Sequence, residues 1–378
     1  MNWQAYADRL AEQVSPPASL WRGIISAVPR HVFVSRWWTP DGADRWTIQD
    51  GTSDIPAWLD AAYSDRSLVT QIGTHHADDT PIGGQAIGRP TSSATLPGLL
   101  LQMYDHAYLE DHVDILDVGT GSGYGCALLA ARFGDGRVTS IDVDEHLTKR
   151  AIACLDSIGM EPLVVAVDAT GPLPGSYDRI IATVAVRPIP ASWLTALRPG
   201  GRLVTTITDT TLILTVDATD DGGAEGRIEW DRAGFMHSRT GPDYPPTLTT
   251  MLARIRSAAG TDVTRGRYPV INVPEAWEVS SMLGVLAPGI EHHYGEDGEA
   301  RTAWMLHSDG SWARATGHTG ERPEVHQGGP RRLWDLLDDI RHRWLTDGSL
   351  PLYGARVRVD PDGVIHLRRG KWQHTITV

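Results

Sequence analysis

The chain has 378 residues, 41% hydrophobic and 21% charged, which is ordinary globular composition with enough length for two or three domains and a sizeable core. A formal net charge of −13 argues against nucleic acid as a partner, and no apolar run approaches the roughly 18 residues of a membrane span. The first residues, MNWQAYADRL, have neither a basic leader nor an apolar stretch, so a cytoplasmic location is expected, and the two cysteines, Cys126 and Cys154, read as structural thiols.

In chain order, SLWRGIISAVPRHVFV (19–34) reads as a helix broken at Pro29, while TPDGADRW and HHADDTPIGG read as loops. TSSATLP (91–97) is a hydroxyl-rich turn leading into the helix PGLLLQMYDHAYL. From Val113 to Ile207 strand, turn and helix alternate: VDILDVG, YGCALLAARFG, RVTSIDVD, DEHLTKRAIACLDSIG, PLVVAVD, YDRIIATVAV, ASWLTALRPGG and RLVTTI. That alternation predicts an α/β fold with a parallel sheet and a ligand site at the carboxyl ends of its strands. TLILTVDATDDGGAEGRIEWDRAGFM suggests two strands around an Asp-Gly-Gly turn, and GPDYPP (241–246) a boundary. RRLWDLLDDIRHRWL lines up Leu333, Leu336, Leu337, Ile340 and Trp344 on one helical face, and ARVRVDPDGVIHL alternates like a hairpin. Residues 1–70 are thus expected to form an N-terminal helical, substrate-side segment, 71–245 a Rossmann-like core, and 246–378 an extra C-terminal α+β domain.

GTGSG follows a strand and opens a helix, so its backbone amides can meet a nucleotide-like ligand. Gly119, Gly121 and Gly123 follow G-x-G-x-G, whereas the dinucleotide fingerprint needs glycine where Tyr124 stands. Asp142 ends the next strand, 23 residues after Gly119, near the offset at which an acid accepts ribose hydroxyls. Asp168 ends a third strand, where a carboxylate can meet an adenine amino group. A ligand with ribose and adenine but no phosphate cradle suits S-adenosylmethionine, held by Asp117, Gly119, Thr120, Gly121, Ser122, Gly123, Tyr124, Asp142, Val143, Asp168 and Ala169. HHADD and EHHYGED lack a third metal-ligating element and read as solvated loops, so no metal is expected.

From about Trp21 to Phe235 the chain resembles the protein-L-isoaspartate O-methyltransferase family. VPRHVFV is similar to its amino-terminal element, LDVGTGSGY to its cofactor loop, SIDVDEHL to its ribose-binding strand, and YDRIIATVAVRPIP with LRPGGRLV to its fourth and fifth strand regions. The family carries a G-Q-T-I-S-Q-P-like signature about twenty residues ahead of the loop. GQAIGRP (84–90) is closer letter by letter but lacks both hydroxyls, and its Pro90 lies 27 residues before Asp117. TSSATLP ends 20 residues before Asp117 and keeps hydroxyls at Ser93 and Thr95, so these two are the expected catalytic pair that holds the acceptor carboxylate. Thr95 stands where the family has serine. Thr183 and Val184, at the fourth strand's end, are expected to wall the substrate cleft.

Roughly 130 residues beyond GPDYPP have no counterpart in compact members of the family. Extended forms are associated with ribosomally made peptides of the lanthipeptide, lasso and ATP-grasp-ligated (graspetide) classes. The resemblance therefore implies an enzyme that methylates an aspartate carboxylate in a modified precursor peptide, the ester then closing to a succinimide (aspartimide). Isoaspartate repair and a non-catalytic peptide-binding scaffold are the alternatives. The tail's tryptophans and arginines either grip a peptide or simply pack, and the oligomeric state is left open.

Overall fold

The computed structural model describes residues 2–42, 45–241, 244–245, 247–348 and 352–377. Helix α1 (Gln4–Val14) precedes α2 (Leu20–Ala27), which Ser19 caps by accepting the Trp21 amide at 3.2 Å. The helix stops before Pro29 because the residue ahead of proline, Val28, is held extended; a 3₁₀ turn, Arg30–Phe33, follows. Beyond it come β1 (Arg36–Pro40), β2 (Arg45–Asp50), α3 (Ile55–Ala62), β3 (Leu68–Ile72), β4 (His75–His76), β5 (Gln85–Ile87) and β6 (Pro90–Ala94). The six strands pair antiparallel into one sheet with its own small core of Trp38, Ile48, Ile72, Ala77 and Ala86. This corrects the helical expectation for residues 1–70: β3 runs through the 70/71 boundary. HHADD is likewise no free loop, because its histidines form β4 and Asp78 accepts Ser35 and Arg150, each at 2.8 Å.

The central region contains α4 (Pro97–His106), β7 (Ile115–Val118), α5 (Tyr124–Phe133), β8 (Val138–Asp142), α6 (Glu145–Ser157), β9 (Leu163–Ala166), β10 (Tyr177–Val186), α7 (Ala191–Ala196), β11 (Leu197–Ile207), β12 (Leu212–Ala218) and β13 (Ala224–Arg232). Strands β9, β8, β7, β10 and β11 are parallel neighbours in that order, and β12 and β13 continue antiparallel. Both faces are apolar: Ile115, Ile181 and Val204 pack on one side, while Leu116, Ile180 and Leu203 pack on the other, all fully buried. Each such side chain contributes about 1.5–3 kcal/mol. Chain order reverses at β7, which opens a crevice at its carboxyl end. Cys126 and Cys154 are buried free thiols.

The remainder comprises α8 (Thr249–Ile255), β14 (Asp262–Arg265), α9 (Trp277–Leu286), β15 (Glu291–Asp297), β16 (Ala300–Leu306), β17 (Trp312–His318), β18 (Glu324–Gly328), α10 (Leu333–Thr346), β19 (Arg356–Val359), β20 (Ile365–Arg369) and β21 (Trp372–Ile376). Strands β14–β18 form a separate antiparallel sheet, so EHHYGED is strand β15 rather than a loop. The expected hairpin is present as β19 and β20, but β19 also pairs with β13. Residues 246–378 are therefore not self-contained: their last three strands extend the core sheet to ten, and one hydrophobic cluster runs from Leu116 to Ile376. The GPDYPP stretch lies partly outside the described residues.

Candidate active site

The glycine loop is shaped by its neighbours. The amides of Gly119 and Thr120 both donate to the Ile141 carbonyl, at 2.8 and 3.1 Å, tying the loop to β8. Gly119 has φ +98°, and a Cβ there would lie 2.9 Å from Thr183 Oγ1 and 3.0 Å from Val184 Cγ1. Thr183 closes the gap by donating to the Gly119 carbonyl at 3.1 Å. At Gly121, φ +51°, a Cβ would sit 3.3 Å from the Ser93 carbonyl. The loop is thereby wedged between the end of β10 and β6.

Asp117 is 3% exposed at the end of β7, and burial pushes its carboxyl up to about 7. Ser140 Oγ donates to it at 2.7 Å and also lies 2.7 Å from Thr120 Oγ1, forming a short hydroxyl chain. Burial also raises the Asp142 carboxyl, whose two oxygens accept the amides of Gly121 at 2.9 Å and Asp144 at 3.1 Å. A carboxylate has about four lone-pair sites, so about two remain for ribose-like hydroxyls.

A cavity of about 320 Å³ brings most of the expected residues together: Ser93, Thr95, Asp117, the loop from Gly119 to Ser122, Tyr124, Asp142, Val143, Ala169, Thr183 and Val184 all line it. Two expected residues do not. Gly123 faces α6, where a Cβ would meet that of Ala151 at 2.8 Å, and it serves the helix start instead. Asp168 turns back on its own loop, where one oxygen accepts both the amide and the hydroxyl of Thr170, at 2.8 and 2.7 Å. Its neighbour Ala169 takes the place on the wall.

Ser93 and Thr95 both line the cavity, as does the more buried Ser92, whose hydroxyl approaches Gly121, whereas Ala94 is buried behind them. Of GQAIGRP, only Pro90 reaches the cavity. Among the described residues neither the Ser93 nor the Thr95 hydroxyl has an internal hydrogen-bond partner, whereas Ser92 Oγ is taken by Thr70 at 3.0 Å.

The support for this strand was not visible in the sequence. Arg30, from VPRHVFV, is completely buried and donates to five backbone carbonyls: Ala62 at 2.7, Ser64 at 2.9, Arg66 at 3.0, Ala94 at 3.3 and Thr95 at 3.2 Å. Burial lowers its pKa to about 10, still charged at neutral pH. The far wall, Gly234–Arg239 with Tyr244, was missed as well. It is held because Ala185 is bonded to the residues on either side of His237, with Ala185 N donating to Met236 O and Ser238 N to Ala185 O, each at 2.8 Å.

These residues fit S-adenosylmethionine. The buried carboxyl of Asp117 and the partly buried one of Asp142 would meet its cationic and hydroxyl groups, and the glycines of the loop would admit close backbone approach. Asp117, Asp142, Val143, Ala169 and the loop are the residues that would hold it.

A sequence profile of the family described as Protein-L-isoaspartate(D-aspartate) O-methyltransferase (PCMT) matches residues 62–229. Protein-L-isoaspartate O-methyltransferase 2 of Archaeoglobus fulgidus is 28% identical over 247 residues, which span 63% of this chain and 95% of that one. Protein-L-isoaspartate O-methyltransferase 1 of Syntrophobacter fumaroxidans is 30% identical over 216 residues, 55% of this chain and 82% of that one. A solved protein-L-isoaspartate O-methyltransferase aligns over 98% of both chains at 16% identity with a TM-score of 0.49, a likeness that adds nothing to the assignment. With a glycine loop, two acids and a hydroxyl strand converging on one cavity, and a relative of 30% identity matched over 82% of its own length, this chain belongs to the protein-L-isoaspartate O-methyltransferase family, a family of S-adenosylmethionine-dependent protein carboxyl O-methyltransferases.

Proposed function

We propose that this chain methylates the side-chain carboxylate of an aspartate in a ribosomally made, modified precursor peptide, and that the ester then closes to a succinimide. The observation that carries this reading is the pair of unengaged hydroxyls, Ser93 and Thr95, facing the same cavity as the glycine loop. Thr95 stands where the family has serine, and residues 246–378 add a separate sheet and three further strands to the core sheet, which supports an acceptor other than the family's usual one.

The cofactor supplies an electrophilic methyl group. An ionised carboxylate, with an ordinary pKa near about 4, is already the nucleophile at neutral pH and needs no general base. The work left to the chain is positioning and exclusion of water. Ser93 and Thr95 would donate to one carboxylate oxygen and leave the other facing the methyl group. Arg30 would set their direction by gripping the carbonyls of Ala94 and Thr95.

Isoaspartate repair is the second reading, favoured by the family match alone. Mass-resolved methyl transfer to the modified precursor peptide and to an isoaspartyl peptide tests the proposal. Gain of one methylene on the precursor aspartate, then net loss of one water, supports it; turnover of the isoaspartyl peptide alone refutes it.

A further inference from the structure

His237 is a titratable side chain on the cavity wall that methyl transfer does not use. Its Nε2 lies 3.0 Å from Asp209 Oδ1, and the Gly289 amide donates to the other Asp209 oxygen at 2.7 Å. Burial pushes the Asp209 carboxyl up, but the hydrogen bonds from His237 and Gly289 outweigh it and hold the group below its ordinary range. Asp209 is therefore a carboxylate at neutral pH and accepts, so Nε2 carries the ring proton. That leaves Nδ1 as the basic nitrogen, and among the described residues it has no partner.

The dyad is held in place from several directions. Asp209 sits at φ +61°, a left-handed conformation uncommon outside glycine, in the turn between β11 and β12. The backbone around His237 is fixed to Ala185, directly after Val184 on the cavity wall. The Tyr244 hydroxyl donates to the His237 carbonyl at 2.8 Å. An imidazole fixed by a carboxylate and open at its other nitrogen is the arrangement of a general base that returns its proton in the same cycle.

We propose that His237, oriented by Asp209, catalyses closure of the aspartyl methyl ester to the succinimide, a second activity in the same cavity. The inference rests on the proposed function, since it needs an aspartyl ester as substrate. The backbone nitrogen of the residue after the aspartate attacks the ester carbonyl carbon, forming the ring N–C bond while its proton passes to Nδ1. The C–O bond to the methoxy group then breaks, Nδ1 returns the proton to that oxygen, and methanol leaves. The histidine ends neutral, and no oxidant or co-reactant is consumed.

The test uses the full-length enzyme without S-adenosylmethionine and a chemically synthesised β-methyl ester of the precursor peptide, so that it does not depend on methyl transfer. Imide formation is followed by mass spectrometry against a buffer control. The wild-type enzyme is expected to accelerate closure, and His237→Gln to lose about 100-fold of that acceleration. Asp209→Asn should lose part of it and shift the pH profile of closure, a readout that a merely structural role would not move. Closure at the buffer rate with wild-type enzyme, or equal acceleration by His237→Gln, overturns the inference while leaving the methyl-transfer proposal standing. Failure of methyl transfer to any aspartyl peptide, with closure of the synthetic ester still accelerated, would sink the methyl-transfer proposal and keep this one.

Discussion

Replacing Asp117 by Asn tests whether the buried acid behind the glycine loop is kept for its charge. The ordinary carboxyl value is 3.8 and burial raises Asp117 to about 7. Because the folded value is the higher, the group's stabilising contribution is complete below about pH 4 and is lost as pH rises through about 7. At about 1.36 kcal/mol for each pH decade, the gap is worth about 4 kcal/mol against the folded, ionised protein above neutrality. Asn keeps an oxygen to accept Ser140 and cannot ionise. Urea unfolding without cofactor, from about pH 5 to about pH 8, should show the stability difference moving in favour of Asp117→Asn by about 2–3 kcal/mol as pH rises. The variant should also bind S-adenosylmethionine more weakly above about pH 7, where Asp117 is ionised and Asn is not. A difference that stays flat with pH would refute the claim that Asp117 holds its proton in the free enzyme.

Arg30→Lys offers about three donors where five carbonyls were served, so about two are orphaned at about 1–3 kcal/mol each. Denaturation should show a loss of roughly 2–6 kcal/mol, with kcat falling more than cofactor affinity because the Thr95 backbone is released. Gly119→Ala forces a Cβ against Thr183 and Val184 at a left-handed φ, so a stability loss of about 1–3 kcal/mol and weaker cofactor binding by calorimetry are expected. Thr95→Ala should lower kcat by about 10–100-fold, the worth of one hydrogen bond to a charged acceptor, with cofactor affinity nearly unchanged and Thr95→Ser restoring most of the rate. Equal loss of rate and cofactor affinity would remove Thr95 from the acceptor side.

Local features of the site were legible because they follow from short-range rules. Alternating glycines after an apolar strand signalled the loop, and Asp142, at the end of the next strand, lines the same cavity. The two hydroxyls at i and i+2 stood at the spacing that separates TSSATLP from GQAIGRP. Long-range features were not legible. Arg30 answers carbonyls from two distant stretches, 62–66 and 94–95, and backbone carbonyls leave no mark in a sequence. The far wall depends on Ala185 pairing beside His237, a parallel contact across 52 positions that no local pattern encodes. Asp168 was misplaced because a strand-end acid followed two residues later by threonine prefers its own turn. The early sheet was missed because its strands mostly follow one another through loops, without the alternating helices that mark β7, β8 and β9.

Competition between the two acceptors tests the central claim most directly: the modified precursor peptide and an isoaspartyl peptide, mixed in one tube with S-adenosylmethionine, give the ratio of their kcat/KM values from the two ester yields. A ratio strongly favouring the precursor, with the methyl group on an aspartate, is the predicted result. A ratio favouring the isoaspartyl peptide would contradict the proposal and make this chain a repair enzyme.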